Sequence, residues 1–384
     1  MTIRLVHTSD IHLDAVFAAS GLPPKYGNRR RQALRDAFRA IVARVAAWPA
    51  DALLIAGDLF EEDRISRDTV AFLQSEFESL FPIPVCIAPG NHDPLTTRSP
   101  YATEIWPGNV TVFPEPRWTS HRMESVPLTV HGFAFDGPDI SENPFGALQI
   151  PDDGRIHVAV AHGSEMGCLP PEKGAYAPFT AAQAASRGLR YLALGHYHSL
   201  KIIETEPGTR LCYPGAPEGH GFRETGPMHY VEVEIETDSI RIVPVVSSRT
   251  IYTVDRIECT AFSTTQQVVD AIRAVRNTDG FNQIARVELV GACTGSWREQ
   301  LASVRDALAS QFEALDLIDR LEPEEDYEAL AQENTSLGVF VQYVNERIRF
   351  TEDPDLRRIL MRAREVGIAA YRGRDLPLRG ADRS

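Results

Sequence analysis

The chain has 384 residues, 43% hydrophobic and 24% charged, the balance of a folded globular protein with room for two or three domains, which excludes disordered and fibrous architectures. Its apolar runs fall short of the roughly 18–20 residues needed to cross a bilayer, and the opening MTIRLVHTSD lacks the basic end and apolar stretch of a secretory signal. A cytoplasmic protein without membrane contact is therefore expected. A formal net charge of −14 argues against binding nucleic acid through the overall field, so any DNA contact has to be local.

Short apolar runs that end in glycine or polar residues alternate with helical patterns, the signature of an α/β sheet. The first run, Ile3 to Thr8, leads into Ser9 and Asp10. A basic segment follows, in which Lys25, Arg29, Arg30, Arg31, Arg35, Arg39 and Arg44 face only Asp36. Within it Leu34, Phe38, Ile41, Val42 and Val45 are spaced for one buried helical face, with Arg31, Arg35 and Arg39 on another. Ala52 to Ala56 leads into Gly57 and Asp58, and a second helix is expected from about Ser66. Val85 to Ala88 leads into Gly90, Asn91 and His92, Ile156 to Ala161 into His162, and Tyr191 to Leu194 into Gly195 and His196.

Beyond residue 200 the pattern changes to strands at Met228 to Ile235, Ile240 to Val246 and Thr250 to Ile257, suited to completing a two-sheet sandwich. From residue 250 a strand, helix, strand, helix series describes a smaller α+β domain. The acidic run LEPEEDYE reads as a linker, followed by two helices carrying Phe340, Val344 and Ile348, then Leu356, Leu360 and Ala363. The expected division is 1–249, 250–321 and 322–384. Cys86, Cys168, Cys212, Cys259 and Cys293 are scattered without a CxxC pair and are expected as buried, unpaired side chains.

In an α/β sheet, ligands bind at the carboxyl ends of the strands, and five strand ends here deliver metal-binding side chains to that edge. They are Asp10 and His12 from SDIHL, Asp58 from GDLF, Asn91 and His92 from GNHD, His162 from AHG, and His196 and His198 from GHYH. Carboxylate, imidazole and amide oxygen suit manganese, iron or zinc, and no thiolate biases the set toward structural zinc.

With DxH, GDxx, GNHD, H and GHxH complete and in order, the first 220 residues resemble the calcineurin-like metallophosphoesterases. HTSDIHLD, the basic GNRRRQALRDAF and YPGAPEGHGFRETGP resemble the subgroup of SbcD-type and YhaO-like DNA repair nucleases. The resemblance implies a four-layer α/β/β/α sandwich with a smaller α+β C-terminal cap domain and a helical tail. It implies two divalent cations, Mn2+ foremost and Fe2+, Zn2+ or Mg2+ behind it. One would be held by Asp10, His12 and His198, the other by Asn91, His162 and His196, with Asp58 bridging. His92 would protonate the leaving group, and Asp93 would orient a histidine or shape a turn. Implied partners are DNA and an SMC-like ABC-type ATPase, the latter docked on the C-terminal helices, with pairing of two copies as a further implication. No glycine pair carries the lysine and hydroxyl of a phosphate-binding loop, consistent with a nuclease subunit that borrows its motor.

The substrate-facing candidates are Arg29, Arg30, Arg31 and His220, whereas His7 and His157 read as structural histidines. After GDLF the chain departs from the nuclease pattern: Glu61, Glu62 and Asp63 would repel an anionic substrate unless they face solvent or serve the metals' outer shell. The leading expectation is a DNA exonuclease. A phosphoesterase for cyclic nucleotides, small phosphodiesters or phosphoproteins is the alternative, and a non-catalytic ATPase scaffold the third reading.

Overall fold

The computed structural model describes residues 2–17, 26–169, 174–186, 188–206, 208–276, 279–293, 297–323 and 326–373. The chain forms two compact units. One comprises Met1–Ile257, Val269–Glu288 and Val304–Ile318; the other comprises Glu258–Val268, Leu289–Ser303 and Asp319–Ser384.

The first unit opens with β1 (Ile3–Thr8), α1 (Tyr26–Ala47), β2 (Ala52–Ile55), α2 (Arg67–Ser79), β3 (Val85–Ile87), α3 (Pro100–Thr103) and β4 (Val110–Val112). It continues through β5 (Thr119–Arg122), β6 (Leu128–Gly132), β7 (Ile156–His162), α4 (Ala181–Ala184), β8 (Leu189–Gly195), β9 (Lys201–Glu204), β10 (Arg210–Tyr213), β11 (His229–Ile235) and β12 (Ile240–Val246). One six-stranded sheet runs β12-β11-β1-β2-β3-β4 and a second runs β5-β6-β7-β8-β10-β9. β1 to β4 pair in parallel, and β11 closes their free side antiparallel to β1, with Ile3 opposite Ile235.

The apolar runs are continuous because both faces of each central strand are buried, and the period of two sorts them. Leu53, Ile55, Val85 and Ile87 face α1 and α2, packing with Leu34, Phe38, Ile41 and Phe77. Their neighbours Ala52, Leu54, Cys86 and Ala88 face the other sheet and meet Val158, Val160, Tyr191 and Ala193. Ala159, Ala161, Leu192 and Leu194 point outward beneath Phe145, Phe179 and Ala184. The layers are therefore α/β/β/α, as the resemblance implies. The second helix starts where expected: Ser66 caps α2 by accepting the Thr69 N–H at 3.1 Å.

His7 lies between the sheets, fully buried, with Nδ1 2.8 Å from the Tyr191 hydroxyl. Burial pushes its pKa down to about 3, below the ordinary 6.5. The unfolded chain therefore binds the proton more readily between those values. The stabilisation is complete above about pH 6.5 and is lost as pH falls, amounting for His7 alone to about 2 kcal/mol by pH 5. Urea titrations in chelator should show this acid loss in the wild type and a flatter profile for His7→Asn; equal slopes would refute it.

β13 (Thr250–Glu258), α5 (Thr265–Ala274), β14 (Asn282–Cys293), α6 (Leu301–Leu308) and β15 (Ala314–Pro323) follow. β13 joins a separate three-stranded sheet, β13-β14-β15, and not the sandwich. β15 stands where the sequence shows an acidic run: Leu315, Leu317 and Leu321 are buried, and Asp316 is held by Arg286 at 2.8 Å. Of the expected linker, Leu321 to Pro323 belong to β15 and Glu324 and Glu325 lie outside the described residues.

The second unit contains α7 (Tyr327–Ala331), α8 (Ser336–Phe350) and α9 (Pro354–Tyr371), and Asp326, Thr335 and Asp353 cap their N-termini. Leu330, Val341 and Ile368 form their buried contact. Val339, Tyr343, Phe350 and Ile359 are exposed, as is Leu356, one of the apolar residues that the sequence placed along the last helix. Among the described residues, no helix is long and apolar enough to cross a membrane. Four of the five cysteines are buried and Cys168 is half-buried.

Candidate metal centre

The carboxyl ends of β1, β2 and β3 in one sheet and of β7 and β8 in the other open toward one place, carrying Asp10, His12, Asp58, Asn91, His92, His162, His196 and His198. The loops are laced together: the Asp10 N–H donates to Gly57 O at 3.1 Å and the His12 N–H to Asp58 O at 2.9 Å. Asp10, His12 and Asp58 adopt left-handed backbone angles, with φ of 54°, 48° and 54°, and His196 has φ 111°. Such conformations are costly for non-glycine residues and concentrate at functional sites. Two glycines admit the close approach. A Cβ on Gly90 would stand 2.3 Å from Asp58 Oδ1, and one on Gly195 would stand 1.9 Å from Ala56 O.

Asp58 lies at the middle. Its Oδ2 is 3.6 Å from His12 Nε2 and 3.3 Å from His162 Nε2, while Oδ1 accepts the His92 N–H at 2.9 Å. His162 Nε2 is 3.0 Å from Asn91 Oδ1, and His198 Nε2 is 3.8 Å from Asp10 Oδ1. The His196 N–H donates to both Asp10 oxygens, at 3.0 and 3.1 Å, and its ring centroid is 5.3 Å from that of His162. All seven residues expected to hold metal are thus brought together. The donor set fits divalent cations, and His12 Nε2, buried without a hydrogen-bond partner and 3.6 Å from Asp58 Oδ2, is placed as a ligand atom would be.

The imidazoles are oriented from behind. A carbonyl or carboxylate can only accept, so each partner fixes the proton on Nδ1 and turns Nε2 inward. His162 Nδ1 donates to Ala56 O at 2.9 Å, His12 Nδ1 to Glu61 Oε1 at 2.8 Å, and His198 Nδ1 to Glu224 Oε1 at 2.7 Å. Glu61 uses its other oxygen on His92 Nδ1, 3.0 Å away. The acid that looked like a liability in the sequence thus joins His12 to His92. Glu224, which lies in the YPGAPEGHGFRETGP segment but was not singled out there, also accepts the His220 backbone N–H at 2.7 Å.

Electrostatics follow this layout. The Glu61 hydrogen bond, against some burial, raises His92 to about 9, so it carries a proton at neutral pH. Burial opposes the charge on Glu61, yet the His12 and His92 hydrogen bonds hold it well below the carboxylate range. Asp58 is likewise held down, His162 outweighing burial. Asp93 is pushed up to about 7 by burial and by Asp58. Its partners among the described residues include no histidine. It accepts the N–H groups of Asp58, Leu59 and Gly90 at 2.7–2.9 Å and the Tyr101 hydroxyl at 2.7 Å, so it braces the two loops.

The substrate-facing candidates separate. Arg29 is exposed, and Arg31 is half-buried against Asn28. Arg30 corrects the expectation: it is fully buried, donating to Glu218 Oε1 at 2.7 Å and Gly219 O at 2.9 Å, so its charge is spent inside the protein. The rest of the arginine face is also engaged, Arg35 with Asp68, Arg39 with Glu76 and Arg44 with Glu232. Lys25 lies outside the described residues. His220 does reach the site, its ring centroid 5.2 Å from that of His12 and 5.4 Å from that of His198. His157 is structural, bonded to His131 at 3.0 Å and Asp153 at 2.9 Å.

Residues 3–200 match the family model for calcineurin-like phosphoesterases. The chain is 29% identical over 244 residues to the metallophosphoesterase YhaO of Bacillus subtilis (strain 168), which covers 62% of this chain and 59% of YhaO. It is 27% identical over 241 residues to the DNA double-strand break repair protein Mre11 of Methanopyrus kandleri, covering 58% of this chain and 50% of that protein. To the protein of the same name from Haloferax volcanii it is 27% identical over 247 residues, covering 62% and 51%. The matched region thus spans between half and three-fifths of these relatives' own length. With more than half of its residues inside the family model and the donors of every motif meeting at one rim, the chain belongs to the calcineurin-like phosphoesterases.

Proposed function

We propose that this hydrolase is a two-metal phosphodiesterase acting on DNA, an exonuclease subunit that works beside an SMC-like ABC-type ATPase. The observation that carries the reading is the position of Asp58, one carboxylate within 3.6 Å of His12 Nε2 and 3.3 Å of His162 Nε2. In this reading Asp10, His12 and His198 hold one cation, Asn91, His162 and His196 hold the other, and Asp58 serves both. Two bound divalent cations, manganese foremost, supply Lewis-acid charge to the phosphoryl oxygens and acidify the attacking water. The chain's own contribution is orientation and a proton. Glu61, Glu224 and the Ala56 carbonyl lock three imidazoles in the ligating tautomer, and His92, kept protonated by Glu61, delivers its proton to the leaving alkoxide.

The relatives named for DNA double-strand break repair support DNA as substrate. Exposed Val339, Tyr343, Phe350 and Ile359 on α8 and α9 support docking of these helices on a partner such as the coiled-coil base of the ATPase. The engagement of Arg30, Arg35, Arg39 and Arg44 with acids favours a second reading, hydrolysis of cyclic nucleotides or other small phosphodiesters, because it leaves less charge for a polyanion.

Manganese-loaded protein assayed on end-labelled DNA beside bis(p-nitrophenyl) phosphate and cyclic nucleotides decides between them. The expected result is DNA shortened from its ends, loss of turnover in chelator and recovery on manganese addition. Turnover of small esters with none on DNA, even with the ATPase present, would establish the second reading.

A further inference from the structure

We propose that a pocket beside the metal centre seats the base of the nucleotide flanking the scissile phosphate; this rests on the phosphodiesterase reading. The cavity measures about 250 Å3 and is lined by Phe17, His220, Phe222, Arg223, Tyr252 and Arg286, among others. That is below the roughly 300–1,000 Å3 of a drug-sized ligand site, so it suits a single base.

Its walls are flat. The Phe17 and His220 rings lie 4° from parallel with centroids 5.9 Å apart, Tyr252 meets Phe222 edge-on at 5.3 Å, and the Arg286 guanidinium sits 4.0 Å from the Phe222 ring centroid. Every base presents a π face, and stacking on aromatic and guanidinium planes grips it without selecting sequence. His220 ties the pocket to the chemistry, since the same ring that faces Phe17 stands 5.2 Å from His12 and 5.4 Å from His198.

The rings are not simply interior packing. Phe17 and Phe222 are only partly buried, and Val16 at the rim is 60% exposed. Arg223 is exposed at the same rim, whereas Arg286 is balanced by Asp316 at 2.8 Å. With a net charge of −14 and Arg35 and Arg39 of α1 paired with acids, a grip through aromatic and guanidinium faces supplies affinity that the overall field does not.

The test compares two probes on the protein without added metal: deoxyadenosine 5′-monophosphate and deoxyribose 5-phosphate, which carries a hydroxyl at C1 in place of the base. Calorimetry is expected to show roughly ten-fold tighter binding of the nucleotide. Phe222→Leu, which keeps apolar volume but loses the aromatic face, should bring the two affinities within about two-fold, and Phe17→Leu should act in the same direction; unchanged melting temperatures identify both variants as folded. Equal affinities in the wild type, or a preference that survives both substitutions in folded protein, overturn the pocket. A protein that cleaves phosphodiesters yet binds both probes alike defeats the pocket alone. One that prefers the nucleotide yet cleaves no ester defeats the phosphodiesterase reading alone.

Discussion

Replacing Asp58 with asparagine is expected to reduce phosphodiester hydrolysis by about 10^4-fold or more, because two-metal charge stabilisation contributes several kcal/mol to the barrier and this carboxylate serves both halves of the ligand set. The substitution keeps the side chain's size, and its amide oxygen can still accept the His92 N–H, so the loops at the ends of β2 and β3 retain their contact. The missing element is charge. His12 and His162 would face a neutral group, and the electrostatic balance that holds cations among imidazoles would fail. Metal content measured after manganese loading should fall below two ions per chain in parallel with the rate. Two tightly held ions in Asp58→Asn, or a rate within ten-fold of wild type, would remove Asp58 from the centre of the chemistry.

The second large effect is expected at Glu61. One carboxylate accepts from His12 Nδ1 at 2.8 Å and from His92 Nδ1 at 3.0 Å, so a single residue positions both a metal ligand and the proton donor. Outer partners of metal-binding histidines typically carry a 10- to 100-fold effect on affinity or activity, and Glu61→Gln should fall in that range. A glutamine in the same place would put an NH2, which only donates, where one of the two carboxylate oxygens now accepts an imidazole N–H, so one of the two contacts is lost.

The pH dependence separates this role from a merely structural one. Glu61 raises the His92 pKa to about 9, and a group acting as acid must hold its proton, so wild-type turnover stays high through neutral pH and declines as pH rises through that value. Loss of the carboxylate lowers the His92 pKa, and the alkaline limb of the profile should move to lower pH. Nuclear magnetic resonance of the His92 ring in metal-free protein reads the same shift directly. An identical His92 titration in Glu61→Gln and wild type would falsify the assignment, whatever the loss of rate.

Much of the first unit could be read from the order of residues. The strands at Ile3, Ala52, Val85, Ile156 and Tyr191 were legible because each is a short apolar run closed by polar or glycine residues, and α1 because its apolar spacing leaves one helical stripe. The ligand set was legible for the same reason: each donor directly follows a strand, and strand ends in such sheets share an edge. β15 was hidden, because Asp316, Asp319 and Arg320 mask a period-two pattern whose cost is met by an ion pair with Arg286. Which part of the C-terminal apolar stripes is covered was not legible, as at Leu356, because a surface left exposed in one chain shows the same helical period as a buried one.

Side-chain roles that depend on partners distant in the chain were a different matter. Arg30 looks like its exposed neighbour Arg29 until Glu218, 188 residues away, is seen to hold it inside the protein. Glu61 has the sequence context of a repulsive acid, and only the arrival of His12 and His92 on either side makes it a brace. By itself the sequence determined which residue types lie at the strand ends and hence the class of chemistry, because local periodicity and turn residues set those positions. The tertiary structure alone decided which charges are spent within the protein and which imidazole nitrogens turn inward, because hydrogen bonds between residues far apart in sequence leave no periodic trace in it.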